Sequence, residues 1–321
     1  GVSPGRLKIG TILSTRANPT TGQRLLSPTP PARSVGRQAN TSQSPPVMLT
    51  LGPLTIPVPA VMGILNVTPD SFSDGGHFDN LNIALRQAVT MVEGGASLID
   101  IGGESTRPGA ARVSEQQELD RVIPVIEALR AVTDVPISVD TSKAGVMRAA
   151  VAAGATLIHD VAALRGEGAM QAAADLGVPV CLMHMQGEPR TMQEKPHYDD
   201  VVAEVAAFLE SRIAACVEAG IGEELIVVDP GFGFGKTHGH NVELLANLRQ
   251  LRIRGRPVLV GVSRKSTLGD LTQRDVHERM PASVAAAVVA VVNGASIVRA
   301  HDVQATVDAL KVAQAVIKAG E

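Results

Sequence analysis

The chain has 321 residues, of which 45% are hydrophobic and 19% are charged, and its formal net charge is −3. These values are typical of a globular protein with one large domain or two smaller ones. No apolar run reaches the ~18 residues of a membrane-spanning helix, so we expect a soluble protein without a membrane partner. The negative net charge argues against nucleic acid as a partner.

The chain contains two cysteines, Cys181 and Cys216, which are too few for a disulfide framework and are not spaced as metal ligands. Both fall in apolar runs and are expected to be small core residues. This use of cysteine fits a reducing compartment, and we expect a cytoplasmic protein.

Residues 1–46 differ in composition from the rest of the chain. They contain six basic residues, no acidic residue, and many Ser, Thr, Pro and Gln residues. Such a segment cannot bury a core, so we predict a disordered basic extension. A tag, an upstream read-through or an organellar transit peptide would each have this composition. The folded domain is therefore expected to span residues 47–321, with an organellar location open if the extension is a transit peptide.

From residue 47 onward, short apolar runs alternate with longer amphipathic ones. Segment 48–57 is predicted to be a small hairpin that turns at Gly52 and Pro53. Eight strand-like runs follow, at residues 61–66, 97–102, 136–140, 156–159, 178–183, 225–229, 257–262 and 296–300. Helical stretches come after them, at residues 80–94, 114–131, 143–153, 167–176, 199–219, 241–251, 282–293 and 303–318. Eight such α/β units predict a TIM (β/α)8 barrel, with a doubly wound open sheet as the alternative.

A TIM barrel carries its active site at the carboxyl ends of its strands. Every predicted strand of this chain ends beside a polar or charged side chain. In chain order these are Asn66, Arg107, Asp140, His159, His184, Asp229, Lys265 and Arg299. Eight such groups at one rim are difficult to explain as helix caps, so we predict that they form a functional site.

The residue types at these strand ends indicate the chemistry of the ligand. A cluster of cationic groups suits a polyanion such as pyrophosphate. Its members are Arg107, Arg264, Lys265, Arg299 and His301. Asp140 and Asp229 end apolar strands, and buried carboxylates need donors, which the N–H edge of a heterocycle would supply. The sequence has no zinc-enzyme motif, whereas Asn66 beside a phosphate suits Mg²⁺, which needs few protein ligands.

Seven motifs occur in order along the predicted barrel. They are GILNVTPDSFSDGG (63–76), DIGGESTRPGA (100–110), SVDT (138–141), LMHMQGEPRTMQ (182–193), DPGFGFGK (229–236), SRKS (263–266) and RAHD (299–302). Together they resemble the dihydropteroate synthase family, which consists of pterin-binding TIM barrels and is the folate-pathway target of sulfonamides. The resemblance covers roughly residues 58–321.

The resemblance implies condensation of 6-hydroxymethyl-7,8-dihydropterin pyrophosphate with p-aminobenzoate, which gives 7,8-dihydropteroate and pyrophosphate. It assigns the catalytic roles to Asp140, Asp229 and Lys265 at the pterin edge and to Arg299 over the pterin face. The further pterin and pyrophosphate contacts are Asn66, Thr106, Arg107, His159, Met183, Phe234 and His301. Asn66 would also be the protein ligand of the Mg²⁺ cofactor.

A second group of residues is implied to bind p-aminobenzoate. This group consists of Phe72, Thr106, Pro108, Ser263 and Ser266, with the substrate carboxylate near the helix start at Ser266. No covalent enzyme intermediate is expected, because the electron-rich dihydropterin stabilises a cation at its exocyclic methylene once pyrophosphate departs. Loop 67–76 is expected to be a lid that brings Phe72 over the second substrate and excludes water.

Two departures from the family pattern occur. Members usually have Asn where this chain has His159, and Val where it has Ala300. Imidazole both donates and accepts hydrogen bonds, so His159 is retained as a pterin contact. Ala300 is expected to be a minor packing change.

The alternative function is a module that binds methyltetrahydrofolate for a corrinoid methyltransferase. Such a module shares the Asn and Asp residues but has no need of the ESTRPG and SRKS segments. Within the synthase class, a sulfonamide-insensitive form is a further alternative. The loop NVTPDSFSDGG has the common form, so we predict ordinary sulfonamide sensitivity. Family members commonly dimerise through late helices, so the resemblance also implies a homodimer.

Overall fold

A computed structural model describes residues 47–68, 77–107 and 109–320 of the chain. The predicted basic extension at 1–46 and most of the predicted lid lie outside these residues. The first element is an antiparallel hairpin of β1 (Val47–Leu51) and β2 (Leu54–Val58). It turns at Gly52, whose φ of +55° favours glycine. The hairpin was predicted, and the structure confirms it.

Eight parallel strands form a nearly closed barrel, which confirms the predicted fold class. They are β3 (Ala60–Asn66), β4 (Leu98–Gly102), β5 (Ile137–Asp140), β6 (Leu157–Asp160), β7 (Val180–Met183), β8 (Ile226–Asp229), β9 (Leu259–Val260) and β10 (Ile297–Ala300). Hydrogen bonding follows the order β8-β7-β6-β5-β4-β3-β10-β9. A parallel bridge between Val228 and Val258 joins the two ends of this order.

Helices surround the strands in the described part of the chain. They are α1 (His77–Glu93), α2 (Glu115–Arg130), α3 (Ala144–Ala152), α4 (Ala169–Leu176), α5 (Val201–Glu218), α6 (His238–Ala246), α7 (Ser266–Thr272), α8 (Met280–Val292) and α9 (Val303–Ala319). None of these described helices is long and apolar enough to cross a membrane.

The apolar periodicity did not predict helix α7, although a helix start was expected at Ser266 and the structure confirms it. Its seven residues, STLGDLT, are too few to show a helical period, and Gly269 lowers their helix propensity. The predicted strand at 257–262 is also shorter in the structure, where only Leu259 and Val260 form it. Pro257 has no N–H group to donate, which limits pairing at its start.

The strand side chains alternate between two apolar layers. Val61, Ile99 and Val298 belong to the cluster that packs against the helices. Their sequence neighbours Met62, Leu98 and Ile297 belong to a second cluster. This cluster also contains Leu51, Leu54 and Ile56 of the hairpin. The hairpin therefore closes the amino-terminal end of the barrel, and the inward positions further along the strands remain for a site at the other end.

Candidate active site

The site is built from the inward-facing positions near the carboxyl ends of the strands. Successive side chains of a strand point to opposite faces, so residues two positions after an inward core residue also point inward. Leu98, Leu157, Cys181, Val227, Leu259 and Ile297 belong to the inner core layer. Two positions further on are Asp100, His159, Met183, Asp229, Gly261 and Arg299. Because side chains alternate along each strand, the polar ones lie together in one layer above the apolar layer.

An ion network crosses this layer. Arg299 Nε donates to Asp100 Oδ2 at 2.6 Å, and its Nη2 donates to Asp140 Oδ2 at 3.1 Å. Burial alone would raise the pKa of Asp100, but the charges of Arg299 and His159 hold it well below its ordinary value. Burial, together with the neighbouring Asp100 charge, raises the pKa of Asp140 to about 6, although His159 and Arg299 lower it. Asp140 therefore loses its proton at a higher pH than an exposed aspartate.

His159 lies between two carboxylates. Its Nδ1 is 3.2 Å from Asp100 Oδ2, and its Nε2 is 3.7 Å from Asp229 Oδ2. Burial opposes protonation of the ring, but the pKa of His159 is raised well above its ordinary value by Cys181 and by the charge and hydrogen bond of Asp100. We attribute the positive charge mainly to the carboxylates, because a buried thiol stays protonated. The imidazolium partly offsets the aspartate charges.

Lys265 faces the same carboxylates from the end of β9. Its Nζ donates to the Phe232 carbonyl at 2.8 Å and lies 4.2 Å from the centre of the Phe234 ring. Burial lowers the pKa of Lys265 to about 8, although Asp229 favours its charge. The amine keeps N–H groups for a ligand in the cavity beside it.

Eight of the predicted site residues line a common cavity with three residues that had not been assigned to the site. The predicted ones are Thr106, Asp140, His159, Met183, Asp229, Phe234, Lys265 and Arg299. The additional ones are Val161, Phe232 and Gly261. Asp100 was also missed, although an acidic residue inside the apolar run LIDIG was a signal for it.

The other predicted residues that the structure describes do not line this cavity. Ser263 Oγ lies 3.0 Å from His301 Nδ1. Burial, and then the charge of Arg299, lower the pKa of His301 to about 4, so its ring is neutral near pH 7. Ser266 is exposed as the first residue of α7, and Arg107 is exposed near the end of β4. Phe72 and Pro108 lie outside the described residues.

Arg264 was predicted to belong to the cationic cluster, and its charge is already paired. Its guanidinium donates to both carboxylate oxygens of Asp302, at 3.1 and 2.6 Å. Its φ is +58°, and its N–H donates to Ser283 Oγ. These contacts give Arg264 the role of holding the turn between β9 and α7.

Two places in the site have oxygen atoms of the kind that coordinate a cation. In the described part of the chain, Asp100, Asp140 and His159 have potential ligand atoms within 4.8 Å of one another, but the guanidinium of Arg299 already bonds both carboxylates there. The other place lies between Asn66 and Asp140. A Cβ atom added at Gly102 would lie 3.8 Å from Asn66 Oδ1 and 3.7 Å from Asp140 Oδ2. Arg299 already bonds this oxygen of Asp140, so Asn66 Oδ1 is the oxygen of this pair that the guanidinium leaves to a cation. Amide and carboxylate oxygens suit Mg²⁺.

Comparison with known proteins gives consistent matches. A family model described as "Pterin binding enzyme" matches residues 62–301. The dihydropteroate synthase of Escherichia coli strain K12 is 54% identical over 263 residues, which cover 82% of this chain and 93% of that protein.

Two solved structures show the same similarity. One is the dihydropteroate synthase of Yersinia pestis in complex with a sulfonamide drug, with 53% identity, a TM-score of 0.81, and coverage of 85% of this chain and 100% of that one. The other is the Xanthomonas albilineans enzyme in complex with 7,8-dihydropteroate, with 52% identity, a TM-score of 0.76, and coverage of 84% and 98%.

Proposed function

Because this chain belongs to the dihydropteroate synthase family of pterin-binding enzymes, we propose that it condenses 6-hydroxymethyl-7,8-dihydropterin pyrophosphate with p-aminobenzoate. The products are 7,8-dihydropteroate and pyrophosphate. The observation that carries this proposal is the convergence of Asp140, Asp229, Lys265 and Arg299 on one cavity. Residues 47–321 form the catalytic domain in this proposal.

Carboxylates and an amine match the edge of a pterin, which offers both N–H donors and ring acceptors. Asp140 and Asp229 accept from the pterin N–H groups, and Lys265 donates to its acceptors. Arg299 covers the ring face, with Met183, Phe234 and His159 completing the pocket. Burial in this cavity excludes water, which strengthens each of these contacts.

The reaction needs leaving-group stabilisation more than a nucleophile. The C–O bond between the methylene and the pyrophosphate breaks, and the bonding electrons leave with pyrophosphate. Electron density from the dihydropterin ring stabilises the methylene cation, the amine of p-aminobenzoate attacks it, and the nitrogen then loses a proton. Arg107 and Arg299 stabilise the departing charge, with Thr106 and His301 as further contacts of the pyrophosphate.

Mg²⁺ is the proposed cofactor, with Asn66 as its protein ligand. The amide oxygen of Asn66, beside Gly102, fits a hard cation that keeps most of its water. When bound, the ion would neutralise the charge of the pyrophosphate. Asn66 fixes the position of this charge at the end of β3.

The second substrate is proposed to bind beside Thr106, Ser263 and Ser266, with Phe72 and Pro108 closing over it from the neighbouring loops. The exposed position of Ser266 at the start of α7 supports this assignment. The Yersinia pestis relative forms a complex with a sulfonamide drug. We therefore expect sulfonamides to inhibit this enzyme in competition with p-aminobenzoate.

The proposed setting is a homodimer in the cytoplasm. Buried free thiols at Cys181 and Cys216 are compatible with a reducing compartment. Exposed valines on α8 and α9 support association with a second copy of the chain.

A two-substrate assay tests the proposed reaction. Pyrophosphate release should require both the dihydropterin pyrophosphate and p-aminobenzoate. Asp140→Asn should reduce kcat/KM at least about 100-fold, since the amide replaces a charged acceptor at the pterin edge. Asp308→Asn, at an exposed position, is the matched control and should leave kcat/KM unchanged. Binding of methyltetrahydrofolate without pyrophosphate release would favour the corrinoid-methyltransferase module instead.

A further inference from the structure

The loop 231–235, which connects β8 to α6, has an unusual set of hydrogen bonds. Each of its five carbonyl groups accepts a bond from a side chain. The donors are Lys236 Nζ to Gly231 (3.0 Å) and Phe234 (2.9 Å), Lys265 Nζ to Phe232 (2.8 Å), Gln193 Nε2 to Gly233 (2.5 Å) and Tyr198 OH to Gly235 (2.8 Å). Loop carbonyls usually bond to water, so this loop is held by the protein to an exceptional degree.

Lys236 makes two of these five bonds and is itself buried, with 2% of its surface exposed. Its third contact is His184 Nδ1, at 2.9 Å. Burial lowers the pKa of Lys236 to about 7, although the charge of Asp229 favours the protonated form. In that form the amine has three N–H donors, and the two carbonyls and the imidazole supply three acceptors. Burial, and then the charge of Lys236, lower the pKa of His184 to about 3, so the ring is neutral and can accept. Lys236 therefore has a complete set of partners and none of them is a carboxylate.

The backbone of the loop also requires close contact with the segment after β7. Gly231 and Gly235 have φ values of +68° and +62°, which favour glycine. A Cβ atom at Gly231 would collide with the His184 carbonyl, and one at Gly235 would collide with the Gln186 carbonyl. The loop thus lies directly on the β7 segment, and Lys236 connects the two through His184.

This loop in turn positions groups of the pterin site. The Phe232 carbonyl and the Phe234 ring are the two described contacts that hold the amine of Lys265. Both Phe residues also line the cavity. Lys236 is not among the lining residues, so it acts on the site through the loop and through its charge, which interacts with those of Asp229 and Lys265.

We propose that Lys236 is a positioning residue, which fixes loop 231–235 and thereby sets Phe234 and Lys265 in the geometry that binds the pterin. This inference rests on the proposed synthase function. A displaced loop moves the amine of Lys265 away from the pterin edge, while the departure of pyrophosphate and the p-aminobenzoate site depend on other strand ends. The effect should therefore fall mainly on the pterin substrate.

The test is Lys236→Met, which preserves the length and apolar stem of the side chain but removes its three donors. We expect KM for the dihydropterin pyrophosphate and the dissociation constant of a pterin analogue to rise about 10-fold or more. kcat and KM for p-aminobenzoate should stay within about threefold. Tyr198→Phe removes one bond at the end of the same loop and should shift the same constants in the same direction, by a smaller factor. It keeps the inference testable if Lys236→Met does not fold.

A stability control separates positioning from a general loss of structure. Leu129→Ala removes a fully buried side chain at the last turn of α2, far from the loop. It should lower the melting temperature without raising KM for the pterin substrate. The inference is overturned if Lys236→Met and Tyr198→Phe leave pterin binding unchanged, or if Leu129→Ala weakens it equally. If the wild type makes no dihydropteroate at all, the proposed function fails, whereas pterin-analogue binding still reports on the loop.

Discussion

At the scale of single residues, Asp140 combines a cost in stability with its proposed role in binding the pterin. Its native pKa of about 6 lies above the ordinary value of 3.8, so the folded state binds this proton more tightly than the unfolded state does. Stability therefore falls as pH rises between these two values, and above about 6 the full loss is present. An amide at this position has no charge to bury and still offers an oxygen to Arg299.

Asp140→Asn should consequently raise the free energy of unfolding near pH 7, by about 2 kcal/mol, while it weakens pterin binding. Urea unfolding at about pH 7 and about pH 4 measures this, and the difference between variant and wild type should shrink at the lower pH. A variant that is less stable than the wild type near pH 7 would show that the contact with Arg299 outweighs the cost of burial.

The stability that His159 contributes is expected to depend on pH, because the folded state stabilises the protonated ring. Its native pKa is raised above 6.5, mainly through Asp100 and Asp229 in our assignment, so its contribution is complete below 6.5 and is lost as pH rises through the native pKa. The stability advantage of the wild type over His159→Asn should therefore decrease as the pH rises above about 6.5.

His301→Asn is the matched control for this pH series. The native pKa of His301 is about 4, so its ring is neutral in both the folded and the unfolded state above about pH 7.5. The difference between the wild type and this variant should be constant at alkaline pH. If the difference in stability between the wild type and His159→Asn is equally constant, His159 is neutral in the native state.

At the scale of elements, Lys143 connects the loop after β4 to helix α2. Its Nζ lies 2.5 Å from Glu104 and 2.5 Å from Glu118, whose side chain is 1% exposed. Burial opposes the charge of Lys143, but the bonds to the two glutamates raise its pKa. Removal of the cation would leave Glu118 charged and buried without a partner.

Lys143→Met should lower the free energy of unfolding by about 3 kcal/mol, because an unpaired buried charge is costly. The double variant with Glu118→Gln should recover part of this loss, which a double-mutant cycle in urea would measure. KM for p-aminobenzoate should rise as well, since Glu104 begins the loop that carries Thr106. An additive cycle would contradict the pairing.

The elements differ in how far the sequence could predict them. The apolar strand runs predicted all eight strands, and the polar residues at their ends predicted most of the cavity lining, because the barrel brings these ends to one rim. Periodicity did not predict the extent of helix α7, because seven residues carry too weak a signal, and only its start at Ser266 was expected. The partners of Lys236 were also missed. His184 is 52 positions away in the chain, and only the packing of β7 against β8 brings them together.

At the scale of the whole molecule, charge within the site is balanced locally. Asp100, Asp140 and Asp229 face His159, Lys265 and Arg299 inside the barrel. Composition gave no sign of this balance, since the net charge of −3 describes the whole chain. The sequence shows which residues are charged, but it does not show which of them pair. Arg299 is 199 positions from Asp100, and the two meet only in the folded barrel.

The outer surface of the barrel supports the last prediction, which concerns assembly. Helices α8 and α9 pack side by side and expose Val289 (45%), Val292 (45%), Val312 (66%) and Val316 (68%). Exposed valines on two adjacent helices form the kind of apolar patch that marks an interface. A second copy of the chain would cover this patch through a symmetric contact.

Val316→Lys should therefore shift the protein from dimer to monomer in sedimentation equilibrium, with a dimer dissociation constant raised at least about 10-fold, because a lysine placed at the centre of an interface must be desolvated. Val132→Lys is the matched control. It places the same charge on an exposed valine, with 57% of its surface accessible, after α2 rather than on α8 or α9. If both variants sediment like the wild type, α9 lies outside the interface. If both dissociate, the effect comes from net charge and not from the surface of α8 and α9.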